Sequence, residues 1–389
     1  MTHFSSRRIV AIQLFVAILF ISSCNQPPDP EEQIENILEL LELPANQWVK
    51  YHHADNGDWW KKGHAGMAYD SKRGSLLIFG SDTHGKDWDN TVHEFSPAQR
   101  RWVQHGENSP QTSYRVDAAG IPVSGIENTQ PWAMHTYDGI EYDPVSDSLF
   151  AIAAPDHNPI GKTISPSGKN NPIWKYALET QKWQALQSNA TQKSNFFAAA
   201  TAFDTARKAL MICSHGLWSL KSGTQTALKI FSSPDCLHSS MAYDSWHKDL
   251  YLFGTYRPSN LIWKLDRDIL TDEPVEWLKL APGGDSPPPF TTTPVAFDQQ
   301  AGVFLFVADK PGKDTNSAST FVYNPTKNQY YKLANVHLPK VGMNFMMTWA
   351  QEYKVFFLVT GGWDNGITVW ALRLDLKMLE ANSTTLSHS

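Results

Sequence analysis

Cysteine is nearly missing from this chain of 389 residues: it occurs three times, at Cys24, Cys213 and Cys236, so beyond the first there is a single pair to place. Basic residues are also in deficit, with 33 Lys and Arg against 39 Asp and Glu. That balance excludes the basic footprint on which nucleic-acid binding depends. Past residue 23 no stretch is long and apolar enough to cross a bilayer as a helix. There is no glycine-rich phosphate loop opening a helix and no G-x-S-x-G nucleophile turn. Charged residues stay at 19% while aromatics reach 12%, the balance expected of a large all-β domain.

What is present begins with an address. Residues 1–23 carry Arg7 and Arg8, an apolar run from Ile9 to Ile21 and small residues before Cys24, the pattern of a secretory signal. The ending Ile21-Ser22-Ser23-Cys24 resembles the bacterial lipobox, which implies cleavage before Cys24 and lipidation of its thiol; the alternative is an ordinary signal with a chance cysteine. Removal of 1–23 takes two arginines and no acid, so 31 basic residues face 39 acidic ones and the net charge becomes −8. Residues 24–45 read as a tether and a short amphipathic helix over 32–43, residues 46–375 as the folded domain, and 376–389 as a polar, frayed tail. The implied location is the bacterial cell envelope, at the outer membrane or cell surface, held by the lipid anchor alone.

Within 46–375 one phrase recurs six times. An apolar strand ends in an aromatic–Asp pair, a polar turn follows, and a strongly apolar second strand comes next. The pairs are Tyr69-Asp70, Tyr142-Asp143, Phe203-Asp204, Tyr243-Asp244, Phe297-Asp298 and a degenerate Trp349-Ala350. The second strands read LLIFG (76–80), LFAIA (149–153), ALMIC (209–213), LYLFG (250–254), VFLFV (303–307) and VFFLVTGG (355–362). Third strands and aromatic fourth strands follow in each repeat, except that the sixth lacks a fourth. NQWVKYHH (46–53) has the fourth-strand pattern and no partner, so pairing it with the last repeat closes a ring of six blades.

An apolar strand ending Tyr-Asp, then LLIFG or TGG, then a late Trp resembles kelch repeats and the galactose-oxidase-like propellers, over residues 46–375. The resemblance implies an all-β, six-bladed kelch-type β-propeller of four-stranded antiparallel blades. The family's double glycine survives fully only at Gly361-Gly362, and no Cys–Tyr–His set matches the copper site of galactose oxidase. Trp102, Trp174, Trp183, Trp263, Trp277 and Trp370, on third and fourth strands, read as packing between blades.

In such propellers the loop after the second strand and the segment opening the first lie on one face. Carrying that topology over gathers His64, His84, Arg115, His135, Tyr137, Tyr256 and Arg257 as candidates for acid–base chemistry, because imidazole, phenol and guanidinium groups together supply base, acid and charge neutralisation. Trp132, His157, Trp363 and Asp364 are candidate ligand contacts on the same rim. Each histidine taken alone reads as an ordinary half-buried repeat residue. Residues 105–134 are expected to fold over this face, and DTHGKDWDN (82–90), which lacks a calcium-loop pattern, reads as a solvated turn.

Cys213-Ser214-His215 and Cys236-Leu237-His238 place two Cys-x-His pairs where neighbouring blades meet. Two readings stand open: a structural zinc site on Cys213, His215, Cys236 and His238, or a Cys213–Cys236 disulfide. Three functional readings also stand open. The first is an anchored module binding a saccharide or, failing that, a protein. The second is a lyase acting by β-elimination on acidic, uronate-containing polysaccharide, an activity carried by propellers of similar architecture. The third is a sugar epimerase, since sialic-acid epimerases also use six kelch blades.

Overall fold

Each aromatic–Asp pair ends an inner strand and caps the turn that reverses it. Asp70 Oδ1 accepts the backbone N–H groups of Lys72 (2.9 Å) and Arg73 (3.1 Å). Asp244 does the same for Trp246 and His247, and Asp298 for Gln300 and Ala301. A carboxylate at this position supplies the acceptor that a tight turn needs. The six turns finish on residues of positive φ, namely Gly74, Asp147, Lys208, Lys248, Gly302 and Lys354. A left-handed residue there feeds the chain into the second strand with the right twist.

The computed structural model describes residues 29–54, 63–81, 88–127, 129–155, 172–188, 196–254, 260–268, 271–290, 292–309, 317–334, 338–362 and 366–386. Helix α1 (Pro30–Leu41) precedes β1 (Trp48–Ala54). Blade 1 is β2 (Gly66–Asp70), β3 (Ser75–Phe79), β4 (Val92–Ser96) and β5 (Arg101–His105). A small hairpin, β6 (Arg115–Val116) and β7 (Pro122–Val123), separates it from blade 2: β8 (Ile140–Asp143), β9 (Ser148–Ala151), β10 (Ile173–Ala177) and β11 (Lys182–Ser188). Blade 3 is β12 (Ala200–Asp204), β13 (Ala209–Cys213), β14 (Leu217–Lys221) and β15 (Thr226–Phe231). Blade 4 is β16 (Ser240–Asp244), β17 (Asp249–Phe253), β18 (Ile262–Arg267) and β19 (Pro274–Leu280). After β20 (Gly283–Gly284), blade 5 is β21 (Val295–Asp298), β22 (Val303–Asp309), β23 (Ser317–Asn324) and β24 (Gln329–Lys332), with β25 (Leu338–Pro339) beside β23. Blade 6 is β26 (Met347–Ala350), β27 (Val355–Gly362) and β28 (Gly366–Leu372), completed by β1.

The fold is therefore an all-β, six-bladed propeller, closed as the unpartnered N-terminal strand implies: β1 pairs antiparallel with β28 from Trp48↔Leu372 to Ala54↔Ile367. Asn46 Nδ2 donates to the Asp375 carbonyl (3.0 Å), and the Asp375 N–H donates to Asn46 Oδ1 (2.8 Å), which ties the two ends of the domain together. Blades 2 and 3 are joined further by a short parallel pairing of β11 with β15.

Second strands are apolar throughout because both their faces are covered. Leu76 and Ile78 pack toward blade 6, while Leu77 and Phe79 pack toward blade 2. The same alternation repeats around the ring, so the core is six apolar layers between neighbouring blades. The outer tryptophans bridge blades as expected: Trp183 lies 4.8 Å from the ring of Phe79, and Trp277 Nε1 donates to the Ser232 carbonyl (3.0 Å).

Two expectations are corrected. Residues Leu376–Leu386 form helix α2 rather than a frayed tail, because Leu379 finds the blade 5–6 core and Asp375 Oδ1 accepts the Met378 N–H (3.0 Å). The end of the 82–90 segment is not a solvated turn. Asp89 and Asn90 are buried, with Asp89 Oδ2 2.6 Å from His93 Nε2 and Asn90 Nδ2 bonded to Ser109, Ser124 and Pro131. The 105–134 segment covers them.

Asp298 gives a direct test of this architecture. Burial pushes its carboxyl up to about 6, against the lowering effect of the Ala301 and Gln300 N–H groups. The folded state thus holds the proton more tightly than the unfolded chain. Its stability falls as pH rises from the ordinary carboxylate value through about 6 and stays low above it. Asp298→Asn keeps an acceptor oxygen and removes the charge. We expect it to be more stable than the parent above that range, by about 2 kcal/mol, with the gap closing on acidification; pH-resolved thermal melts decide, and a gap that does not change with pH overturns the assignment.

Candidate functional site

The inner strands begin on one face of the ring, here the upper face. Five residues ahead of the aromatic of each repeat stand His64, Tyr137, Ala198 and His238 in blades 1 to 4, and all four have positive φ (65°, 50°, 49° and 57°). None is glycine, so each conformation costs roughly 1–2 kcal/mol, and such strain collects at sites of function. The segments dock on one another in series. Tyr137 N–H donates to the His64 carbonyl (2.9 Å), and His238 N–H donates to the Ala198 carbonyl (3.2 Å). Thr136 Oγ1 donates to the Phe79 carbonyl (2.7 Å) and accepts the Gly66 N–H (2.9 Å). Gly66 admits no side chain, since a Cβ there would fall 2.3 Å from the Tyr137 carbonyl oxygen.

This docking puts Tyr137 on the propeller axis. Its ring lies 5.6 Å from His64 of blade 1, 5.7 Å from Phe197 of blade 3, 4.7 Å from His238 of blade 4 and 5.7 Å from Phe345 of blade 6. A side chain that touches four other blades can only be central. His135 Nδ1 is 3.0 Å from the Tyr137 hydroxyl, and the His135 ring lies 4.3 Å from that of His64. His135 and Tyr137 are 1% and 3% exposed, whereas His64 and His238 are half-buried and reach the surface. Phe197, Leu237 and Met343, also partly buried, complete an apolar surround. At the surface His64 and His238 offer imidazoles beside the apolar Phe197, Leu237 and Met343, groups that can bond polar ligand atoms and cover an apolar ligand face, while the almost fully buried His135 and Tyr137 support them from beneath.

Beneath Tyr137 the axis is a cavity of 230 Å³ walled by the inner strands. Asp138 and Glu141 face it, and the sequence reading did not single out either. Burial holds both carboxyls well above the ordinary range, and the neighbouring charge of Asp138 raises Glu141 further. The signal was present in register: Glu141 stands where the other inner strands carry Ala68, Ala202, Ala242, Ala296 and Thr348.

Of the sequence-derived candidates, the structure brings His64, His135, Tyr137 and His238 together. Arg115 is exposed on the β6–β7 hairpin. Trp132 is fully buried, with Nε1 donating to the Val123 carbonyl (2.8 Å), so it anchors the covering segment and is out of a ligand's reach. Cys24, His84, His157, Tyr256, Arg257, Trp363 and Asp364 lie outside the described residues.

The cysteine alternatives resolve against zinc. Cys213, at the end of β13, is joined to Cys236 in a disulfide, with Cα atoms 5.9 Å apart. Thiolates committed to each other ligate no metal, and His215 points outward as an exposed turn residue. Among the described residues no three His, Cys, Asp or Glu side chains are placed to hold a metal ion. The bond has a local consequence: Cys236 opens the turn that carries His238, whose closing bond runs from the Ser239 N–H to the Cys236 carbonyl (3.1 Å). The Cys213→Ser/Cys236→Ser variant is therefore expected to lose about 2–4 kcal/mol of stability, measured by denaturant unfolding. Equal stability of the variant and the oxidised parent would show that the bridge is dispensable.

No family model matches the chain, and no curated protein matches its sequence. Solved structures do match. YjhT aligns at a TM-score of 0.50 with 11% identity, covering 80% of this chain and 94% of its own. An auxiliary nutrient binding protein from Bacteroides ovatus aligns at 0.50 with 9% identity, covering 80% of this chain and 69% of its own. Likeness at such identities concerns fold alone, and the fold it supports is the β-propeller already traced strand by strand.

Proposed function

We propose that this chain is an exported, lipid-anchored propeller with kelch-type blades that captures an extracellular saccharide at the centre of its upper face. The observation that carries the reading is the convergence of His64, His135 and His238, from three blades, on an axial Tyr137 ringed by Phe197, Leu237 and Met343. Sugars present hydroxyls that bond to imidazole and phenol groups and C–H faces that lie on aromatic surfaces. The Cys213–Cys236 bridge supports an oxidising compartment, the address implied by residues 1–24. The Bacteroides ovatus neighbour, described as a nutrient binding protein, has the class of role proposed here.

A second reading is favoured by one contact, the hydrogen bond of His135 to Tyr137. An imidazole–phenol pair relays a proton, as β-elimination on a uronate or epimerisation of a sugar requires.

The test is a screen of the purified protein against neutral and uronate-containing glycans, following calorimetric binding and the ultraviolet absorbance of unsaturated uronate together. Capture predicts binding without new absorbance, weakened about tenfold or more (about 1.4 kcal/mol) in His64→Ala and in His238→Ala. Absorbance that rises with the parent and is lost in Tyr137→Phe and in His135→Ala would replace capture by a lyase, and a mass-neutral product would replace it by an epimerase. Silence toward every glycan would overturn the saccharide reading in favour of a protein partner.

A further inference from the structure

Glu141 and Asp138 both break the repeat. One residue ahead of the aromatic, four inner strands carry alanine and one carries Thr348, so packing there needs nothing larger, yet blade 2 has Glu141. At the register of Asp138 the other blades carry Ala65, Ala199, Ser239, Thr293 and Phe345. Withdrawing an acid from bulk water is costly, and these two partly exposed acids face one cavity. No lysine, arginine or histidine lines its wall among the described residues. The other titratable residues of the wall are Tyr69, Tyr142 and Tyr243, of which the Tyr69 and Tyr142 hydroxyls bond instead to Glu352 and Asp147, and His64, His135 and His238 lie above around Tyr137.

Asp138 is tied across the axis. Its Oδ2 accepts the N–H of Thr201 in blade 3 and the N–H of Met241 in blade 4, each at 2.9 Å. It directly follows Tyr137 in a turn closed by the Gly139 N–H on the Thr136 carbonyl (2.8 Å). The carboxylate that staples blades 3 and 4 thus belongs to the turn that aims the axial phenol. Glu141, by contrast, is fixed within a paired strand, opposite Phe150.

We propose that Asp138 is the positioning residue that holds Tyr137 on the axis, and that Glu141 is the proton partner that makes this hold respond to pH. The proposal rests on the Tyr137 cluster being the ligand site, and its test needs no ligand. Two carboxyls that face one cavity, with no cation in its wall among the described residues, keep one proton between them until the solution is basic enough to remove it. While that proton stays, Asp138 retains its bonds to Thr201 and Met241. Once it leaves, two like charges share the cavity. Glu141 is fixed in a paired strand, so the repulsion strains the Asp138 bonds to Thr201 and Met241 and, through that turn, the seat of Tyr137 against His135 and His238.

Carbon-13 at the carboxyls of Asp and Glu and at Cζ of Tyr reads both ends of this linkage as pH is raised. Signals are assigned with Asp138→Asn, Glu141→Ala and Tyr137→Phe. The expected result is a carboxyl step above the ordinary carboxylate range that is lost in Glu141→Ala, and a Tyr137 shift that follows that step. In Glu141→Ala, which restores the residue of the other blades, Tyr137 keeps only the shift that follows the imidazoles. A Tyr137 shift unchanged by Glu141→Ala overturns the proposal, as does ordinary titration of both carboxyls. Should Asp138→Asn fail to fold, the parent and Glu141→Ala still decide. Absence of glycan binding would sink the capture reading and leave these signals as they are, so the two failures are distinguishable.

Discussion

The pairing of β1 with β28 is the constraint on which everything else depends. Six blades arranged in a circle have no free face only if the circle closes, and closure here is made by one strand donated from the opposite end of the chain. The layer between blades 6 and 1 collects Tyr51 from that strand with Leu76, Ile78, Val355 and Phe357. Each such large side chain contributes about 1.5–3 kcal/mol by leaving water. Without β1, the long edge of β28 and one face of this layer would lie open together, an edge that native sheets avoid. The Asn46–Asp375 bonds and the buried foot of α2 reinforce the same seam.

Closure also gathers the upper face into the candidate site. Six strand openings that are remote in sequence arrive at one point, so residues from blades 1, 2, 3, 4 and 6 become neighbours of a single phenol. No local pattern could do this. Elsewhere on the ring the equivalent positions serve structure: Thr293 donates to the Val307 carbonyl, and Ser239 to that of Gly254. Blade 2 departs from them by turning Asp138 inward, and its departure sets both the axial phenol and the acidic cavity beneath it.

The sequence made the blades legible because they are governed by short-range rules. The aromatic–Asp pair caps its own turn, and period-two alternation reports which faces are covered, so strand positions agree with expectation to within a residue or two. His64 and His238 were legible by the same register, and His135 as an imidazole two residues ahead of it. Tyr137 was visible as a residue but not as the centre, because centrality comes from the ring rather than from the strand. Glu141 escaped notice since an isolated acid in an alternating strand looks like a solvent-facing residue, and Asp138 because an acid in a turn does. Asp89 and Asn90 escaped for a related reason: a polar string reads as exposed until the segment over it is placed.

The axis is where this molecule spends stability. Four non-glycine residues adopt left-handed backbone at the inner-strand openings, and two carboxyls face a cavity that offers them no cation among the described residues. Ala198 shows that the opening position needs neither an imidazole nor a phenol, and Ala68, Ala202, Ala242 and Ala296 show that the wall needs no acid. Where a repeat supplies a cheaper residue in most of its copies, the copy that departs from it is answering to something other than folding. Blade 2 departs at Tyr137, Asp138 and Glu141, within five consecutive residues. That concentration, in a ring whose other blades stay near the common pattern, is the strongest physical reason to place function on the axis and not on the outer strands.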